Sequence, residues 1–415
     1  MDRRKFLKKT AATTGATVLA GMTGSANASH GKHDSPGENG PSELHNPVKS
    51  IQQYGQIGKT GLTMSDISFG AGKLPSPALA ERALDMGVNY FDTAPDYGYS
   101  ETILGKFLKK RKADRPKIII TTKLCDPKPY PGHLKAGESV DKIVRTVEGS
   151  LQRLRTDYVD FLLVHALAEN RNDIERLKDE NLYIALDKLK KHGKIRYAGF
   201  SSHGQYNVDT TVRYAIDTGK FDMMLVAFNF EKVPGVEEHI KHAHGKGMGI
   251  VTMKTFAGAK HAGVSKFRRD GASFEQAALR WAVNHPEISG AIITIQNVRQ
   301  LRHYVAVSGT KLTSMDKEIL EYYTKFFDKT DCRIGCGECR DACPDGVNVP
   351  AILRHNMYYE NYTDHKEIAI GRYAGLKTDA GSCVRCAGSA CGSYCPYGLP
   401  VKELLVRAHG NLSIT

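Results

Sequence analysis

From Ile51 onward, short apolar runs alternate with segments of helical spacing, and this alternation leaves few folds open. The runs are 65–71, 90–94, 117–124, 159–166, 195–202, 223–229, 249–255 and 290–295, eight in all. Between them, segments such as 139–154, 182–192 and 274–285 repeat apolar residues at i, i+3, i+4 and i+7, the period of one helix face. Runs that are apolar at nearly every position predict strands buried on both sides, as in a parallel sheet. Eight strand–helix units in succession predict a (β/α)8 TIM barrel of the α/β class. An open doubly wound sheet is the alternative, but no Gly-x-Gly-x-x-Gly turn follows any run. Residues 54–65, with Gly58-Lys-Thr-Gly61 at their centre, read as a hairpin closing the barrel floor.

In such a barrel, chemistry sits where strands end and loops begin. Asp92 lies in Tyr90-Phe-Asp-Thr-Ala94, and Tyr97 follows five residues later in Asp96-Tyr-Gly98. Lys123 closes the third run and His165 the fourth. Runs two, three and four are neighbours, so their ends converge. Taken singly, each residue reads as a solvated cap or a satisfied core group. Together they read as an acid site. A tyrosine with a pKa near 10 donates protons poorly at neutral pH. A nearby ammonium is expected to lower it, an aspartate to hold that ammonium, and a histidine to orient a carbonyl oxygen. The set is suited to protonating a carbonyl as it is reduced.

These motifs carry a resemblance. Phe91-Asp-Thr-Ala-Pro-Asp-Tyr-Gly98, Thr122-Lys-Leu124, Asp160-Phe-Leu-Leu-Val-His165 and Ile195-Arg-Tyr-Ala-Gly-Phe-Ser201 make residues 51–308 similar to the aldo-keto reductases. The resemblance implies an Asp92, Tyr97, Lys123 and His165 catalytic tetrad, reduction of aldehydes or ketones, and NADP(H) bound across the barrel mouth. On that rim, Gly72, Lys73, Ser201, Ser202, Asn229 and Lys254 are the candidate cofactor-binding residues. The cofactor side departs from the family. Leu225 stands where the family often has a glutamine that contacts the nicotinamide. Thr294 replaces a common glycine, and His303-Tyr304 a common Glu-Asn.

Eight of the nine cysteines fall between Cys332 and Cys395. They form two runs, Cys332-x3-Cys336-x2-Cys339-x3-Cys343-Pro344 and Cys383-x2-Cys386-x4-Cys391-x3-Cys395-Pro396. Close spacing lets three thiolates reach one cubane, and a terminal Cys-Pro sends the fourth to the other cluster. Two 4Fe–4S clusters are therefore expected, one on Cys332, Cys336, Cys339 and Cys395, the other on Cys383, Cys386, Cys391 and Cys343. Both runs depart from the usual x2-x2-x3 spacing. Zinc and disulfides are the alternatives. Segments 349–359 and 367–375, between the runs, look helical. The layout resembles fused aldo-keto reductase–ferredoxin proteins, which implies a small, mainly helical ferredoxin-like iron–sulfur domain over 329–415, after a barrel over 51–328. Cys125, the ninth, reads as a buried thiol, with a redox or substrate-facing role as the alternative.

At the other end, Arg3-Arg4 opens a twin-arginine pattern, followed by a mild apolar stretch and an Ala26-Asn27-Ala28 cleavage site. Residues 1–28 are read as an export signal for folded proteins, placing the mature chain in the periplasm or outside the cell. Residues 29–50, rich in Gly, Ser, Pro and Asn, read as a flexible linker. The formal charge of +13 forms no basic stripe with interleaved aromatics, so no nucleic-acid partner is expected. No transmembrane span is expected in the mature chain. The expected partners are a small carbonyl or alcohol substrate and a redox partner protein or quinone-linked donor. NADPH is expected inside the cell, so an exported reductase needs a trapped cofactor or another electron source. Two functions follow: an exported oxidoreductase exchanging electrons through its clusters, or an electron-transfer subunit whose barrel has become a docking scaffold.

Overall fold

The structure, a computed structural model, describes residues 50–128, 131–169, 172–203, 208–233, 235–258, 272–327, 330–362, 366–388 and 390–413. The export pattern at 1–28, and the linker up to residue 49, lie outside the described residues. Two short strands, β1 (Tyr54–Gln56) and β2 (Thr63–Ser65), pair antiparallel as the expected hairpin. The apolar runs become β3 (Ile67–Gly70), β4 (Tyr90–Asp92), β5 (Ile119–Leu124), β6 (Val159–Leu167), β7 (Ile195–Ser202), β8 (Met223–Ala227), β9 (Gly249–Met253) and β10 (Gly290–Thr294). These eight close a barrel in sequence order, each parallel to the next, with β10 back on β3. The expected barrel is therefore present.

Helices α1 (Pro77–Asp85), α2 (Ser100–Lys110), α3 (Val140–Leu154), α4 (Asp173–Lys178), α5 (Glu180–Lys191), α6 (Arg213–Asp217), α7 (Val236–Gly245), α8 (Phe274–Val283), α9 (Val298–Val305) and α10 (Ser314–Phe326) follow the strands. Their starts carry the residues expected of helix caps. Ser139, Ser273 and Asn297 each accept a backbone N–H with their side chains, and Thr313 and Asp316 form a capping box. α3 buries Ile143, Val147, Leu151 and Leu154, the stripe its spacing predicts.

Two apolar layers result. Along each strand, side chains alternate between the barrel interior and the shell under the helices. Tyr90, Ile119, Phe161, Leu163, Met223, Leu225, Val251 and Ile292 fill the interior, above Ile57 and Met64 from the hairpin. Phe91, Ile120, Leu162, Val164, Met224 and Ile250 face outward. Several strands stop short of their apolar runs, because the chain turns at the rim. Lys254, for instance, leaves β9 with a left-handed φ of 60°.

Beyond the barrel, α11 (Val349–Asn361), α12 (Lys366–Ala374), α13 (Ala390–Ser393) and α14 (Val401–Leu412) surround a second core. It holds Val347, Ile352, Leu353, Tyr373, Val401, Leu405 and Leu412, together with Cys339 and Cys383. Residues Val48–Thr415 form one compact unit. Among the described residues, no helix is long and apolar enough to cross a membrane.

Candidate functional site

The alternation that fills the interior also places the polar strand ends. Asp92 lies two residues after inward Tyr90, Lys123 four after Ile119, and His165 two after Leu163, so all three turn into the barrel mouth. Lys123 Nζ donates to Asp92 Oδ1 at 2.6 Å and to the Thr93 carbonyl at 2.8 Å. Both side chains are almost wholly buried, at 1% and 3% exposure. Burial pushes the Asp92 carboxyl up, and the Lys123 charge pulls it back.

Tyr97 stands on the loop after β4, with its ring 4.8 Å from Lys123 Nζ and 5.9 Å from the His165 ring, edge to face. Gly72 lets the β3 rim press on this ring, since a Cβ there would lie 3.3 Å from Tyr97 Cδ2. One expectation fails. The phenol is not lowered but raised well above 10, by burial first and then by Asp92, Asp96, Cys125 and Glu169. Lys123 is already neutralised by Asp92, so the expected help to a phenolate is spent. Tyr97 is held as a protonated donor.

His165 is fully buried and held well below 6.5 by burial, then by His133 and Lys123. It is a neutral imidazole that can bond a carbonyl oxygen. Three supports of this ring were not assigned from sequence. Arg176 Nη1 donates to the His165 carbonyl at 2.9 Å. The His133 ring lies 4.8 Å from it. Asp96 Oδ2 lies 3.5 Å from its Nδ1, and accepts the Gly132 N–H at 3.1 Å. Asp96 was visible in the Asp-Tyr-Gly motif itself. His133 follows an irregular loop and leaves no periodic signal. Asp96, Cys125 and His165 put their polar atoms within 4.8 Å of one another. The Cys125 thiol, buried and pushed up by that burial and by Asp96, points at the Lys123 carbonyl, 3.9 Å away.

The rim residues expected to hold a nicotinamide dinucleotide are brought to the same face, but most have protein partners. Ser201 Oγ accepts the Ala166 N–H at 2.8 Å, and Ser202 is buried. Asn229 spends its amide on the Lys254 carbonyl at 3.3 Å and on the Glu231 N–H at 3.0 Å. Lys254 Nζ donates to the Tyr358 hydroxyl at 2.9 Å, and Lys73 Nζ lies 5.9 Å from the centre of the Tyr362 ring. Leu225 packs in the apolar interior, and Thr294 is exposed at the end of β10. These engagements fit poorly with a dinucleotide lying along this rim.

The partners of both lysines come from the C-terminal segment, which meets the mouth at several further points. Asn361 Nδ2 donates to the Gly258 carbonyl at 2.8 Å, and Arg333 Nη1 to the Glu231 carbonyl at 2.9 Å. Met357, Tyr358 and Ile334 pack on Ala227.

None of the eight C-terminal cysteines forms a disulfide. Burial raises Cys332, and Cys336, Cys339 and Cys395 raise it further. Burial lifts Cys383 to about 11, helped by Cys343, Cys391 and Cys386. A cavity is lined by Cys343, Cys383, Cys386 and Cys391, with Val349, Leu405 and Lys402 around it. Cys395, from the second run, thus acts on the first run's Cys332, and Cys343, from the first, on the second run's Cys383, while Cys391 also acts on Cys339. Crowded, buried thiols that disfavour one another's ionised form are suited to a site that supplies positive charge. In a tetrahedral zinc site, with Zn–S near 2.3 Å, sulfurs lie roughly 3.8 Å apart. No three of these sulfurs lie within 4.8 Å of one another among the described residues.

Comparison with known proteins bears on the barrel. The model of the Aldo/keto reductase family matches residues 76–266, wholly within it. L-galactose dehydrogenase of Arabidopsis thaliana is 28% identical over 304 residues, 64% of this chain and 91% of that one. Versiconal hemiacetal acetate reductase of Aspergillus parasiticus is 26% identical, over 65% of this chain and 96% of that one. A solved structure from Pseudomonas aeruginosa, described as an aldo-keto reductase, superposes with a TM-score of 0.51 at 26% identity, covering 63% of this chain and 96% of that one. The barrel of this chain is an aldo/keto reductase domain, and the chain is an oxidoreductase.

Proposed function

We propose that this chain is an exported oxidoreductase that interconverts a carbonyl compound and its alcohol at Tyr97, exchanging electrons through two 4Fe–4S clusters in its C-terminal segment. The observation that carries the reading is the pairing of a complete acid site with eight cysteines, in two runs, on one compact unit. Lys123 and Asp92 fix the mouth's charge, His165 orients the carbonyl oxygen, and the Tyr97 O–H donates its proton to that oxygen as the carbon is reduced. When bound, the clusters would supply two single electrons per carbonyl, with the second proton, the one the carbon takes, coming from solvent; one cluster would be held by Cys332, Cys336, Cys339 and Cys395 and the other by Cys343, Cys383, Cys386 and Cys391. A redox protein or quinone-linked donor would supply them in turn. The twin-arginine pattern supports export to the periplasm or beyond, and folded export suits a protein whose clusters are inserted before it crosses the membrane.

Anaerobic purification of the full chain with iron and sulfide analysis tests the clusters. About eight of each per chain are expected, and colourless, iron-free material removes the electron-carrying role. Replacing Tyr97 by Phe should lower carbonyl turnover by about 10²- to 10⁴-fold with metal content unchanged. Retained turnover would take the tetrad out of the mechanism.

A second reading is favoured by one observation. Lys254 and Lys73 face tyrosines of the C-terminal segment, as expected if the barrel has given up NADP(H) and serves as a docking scaffold for an electron-transfer segment. Calorimetric titration with NADPH separates the two. Binding that displaces nothing else favours a nicotinamide-using reductase, whereas no heat with clusters intact, and no carbonyl turnover from a reduced donor, favours the scaffold.

A further inference from the structure

Three side chains of metal-binding type converge at His165. Asp96 comes from the loop after β4, Cys125 stands one residue past β5, and His165 lies in β6. A carboxylate oxygen, the thiol sulfur and a ring nitrogen all lie within 4.8 Å of one another, and all three residues are buried. His165 Nδ1 and Asp96 Oδ2 are 3.5 Å apart, with both side chains wholly out of solvent. That separation is long for a hydrogen bond. Two nitrogen or oxygen ligands of one tetrahedral zinc stand about 3.3 Å apart.

The surrounding chain holds each group in place. β6 shifts its register against β7 between Val164 and Leu167, and Ala166 and Ala168 take left-handed φ angles of 54° and 64°. Irregularities of this kind re-aim a strand's side chains, here beside His165. Arg176 Nη1 fixes the His165 carbonyl. Cys125 and His133 form an antiparallel bridge, and beside it the Gly132 N–H donates to Asp96 Oδ2 at 3.1 Å. The other carboxylate oxygen, Asp96 Oδ1, is buried and meets no donor among the described residues. A buried acceptor left this way costs free energy, and a cation would relieve it. Lys123 directs its ammonium at Asp92 and the Thr93 carbonyl instead. Burial pushes the Cys125 thiol and the Asp96 carboxyl up and His165 down, each toward its uncharged form. A dication would reverse that preference, its two charges balanced by one thiolate and one carboxylate.

We propose that Asp96, Cys125 and His165 bind a zinc ion, the imidazole through Nδ1. One oxygen, one sulfur and one nitrogen donor form a set that zinc accepts. No fourth His, Cys, Asp or Glu joins them at this spacing among the described residues. One coordination position is therefore left for water or substrate, as in catalytic zinc sites. An ion on Nδ1 keeps the imidazole proton on Nε2, the donor that a carbonyl oxygen requires. That role rests on the tetrad reading above, whereas the binding of zinc does not.

The test uses full-length protein produced in zinc-supplemented medium, purified anaerobically and freed of loose metal by gel filtration. Elemental analysis should find about one zinc per chain. X-ray absorption at the zinc edge, which iron does not disturb, should show one sulfur at about 2.3 Å and the other ligands, nitrogen or oxygen, at about 2.0 Å. Cys125→Ala and Asp96→Asn should each lose that zinc with iron content unchanged. Cys125→Asp, which exchanges one anionic ligand for another, should keep the zinc and lose the sulfur from its shell, so a Cys125→Ala chain that fails to fold does not decide the matter. A shell made only of sulfurs places the metal in the C-terminal cysteine runs and overturns the site. Zinc that survives in Cys125→Ala, or a parent chain that holds none, overturns it as well. Because binding is read without turnover, zinc held in the mixed shell by a chain that reduces no carbonyl leaves the site standing and removes the tetrad reading alone.

Discussion

Lys123 and Asp92 meet at 2.6 Å with almost no solvent around them. Removing one partner of a buried pair leaves the other charged and unpaired, at a cost of about 3–5 kcal/mol. Lys123→Met should therefore lower the urea midpoint markedly, and the double variant Lys123→Met/Asp92→Leu should recover much of the loss. A second consequence concerns acid. Burial first, then Arg176 and Lys128, hold His133 down at about 3, against 6.5 when unfolded. Between those values the unfolded chain takes up a proton that the folded one refuses, so this residue's contribution is full above pH 6.5 and is lost as pH falls toward 3. The slope is about 1.4 kcal/mol per pH unit. A His133→Asn chain should show a shallower loss of stability than the parent between pH 6.5 and 5. The buried carboxyls of Asp66, Asp92 and Asp96 are shifted up and act in the opposite sense, but they are common to both chains and cancel in the comparison. An equal slope in the two chains would show that His133 titrates normally.

At the scale of elements, the decisive junction is α11 on the barrel rim. Gly258 follows β9 with φ at 73°, and a Cβ there would stand 2.3 Å from Met357 Sδ. Gly258→Ala should strain both the backbone and the docking, by about 1–3 kcal/mol. It should show as faster proteolysis within α11 while the barrel stays resistant, and unchanged cleavage would show that the contact is yielding. This junction was not legible in the sequence. Tyr358 and Lys254 are 104 positions apart, and no local pattern links them. The barrel was legible because burial on both faces leaves a continuous apolar run. So were Asp92, Lys123 and His165, whose position is a matter of counting by two from the interior side chains. The raised Tyr97 phenol was not, because its sign depends on whether Lys123 is free or already paired, which only packing decides.

At the scale of the molecule, the proposed cluster ligands are interleaved, with Cys395 assigned to the first run's set and Cys343 to the second's. Cys395→Ser should therefore disturb the centre formed mainly by Cys332, Cys336 and Cys339, although it lies at the far end of the other run. Since Pro396 and α14 follow directly, iron at both centres should fall together. Loss confined to the second centre would mean that the sets are not crossed. Such interleaving also shapes how the molecule would fail. A chain with two independent redox centres degrades by halves, each oxidative hit leaving a crippled but working remainder. If the proposed clusters form on crossed ligands, each centre borrows a strut from its neighbour, so injury to one would be transmitted to the other, and a population under oxidative stress would sort into intact and inert copies with few in between.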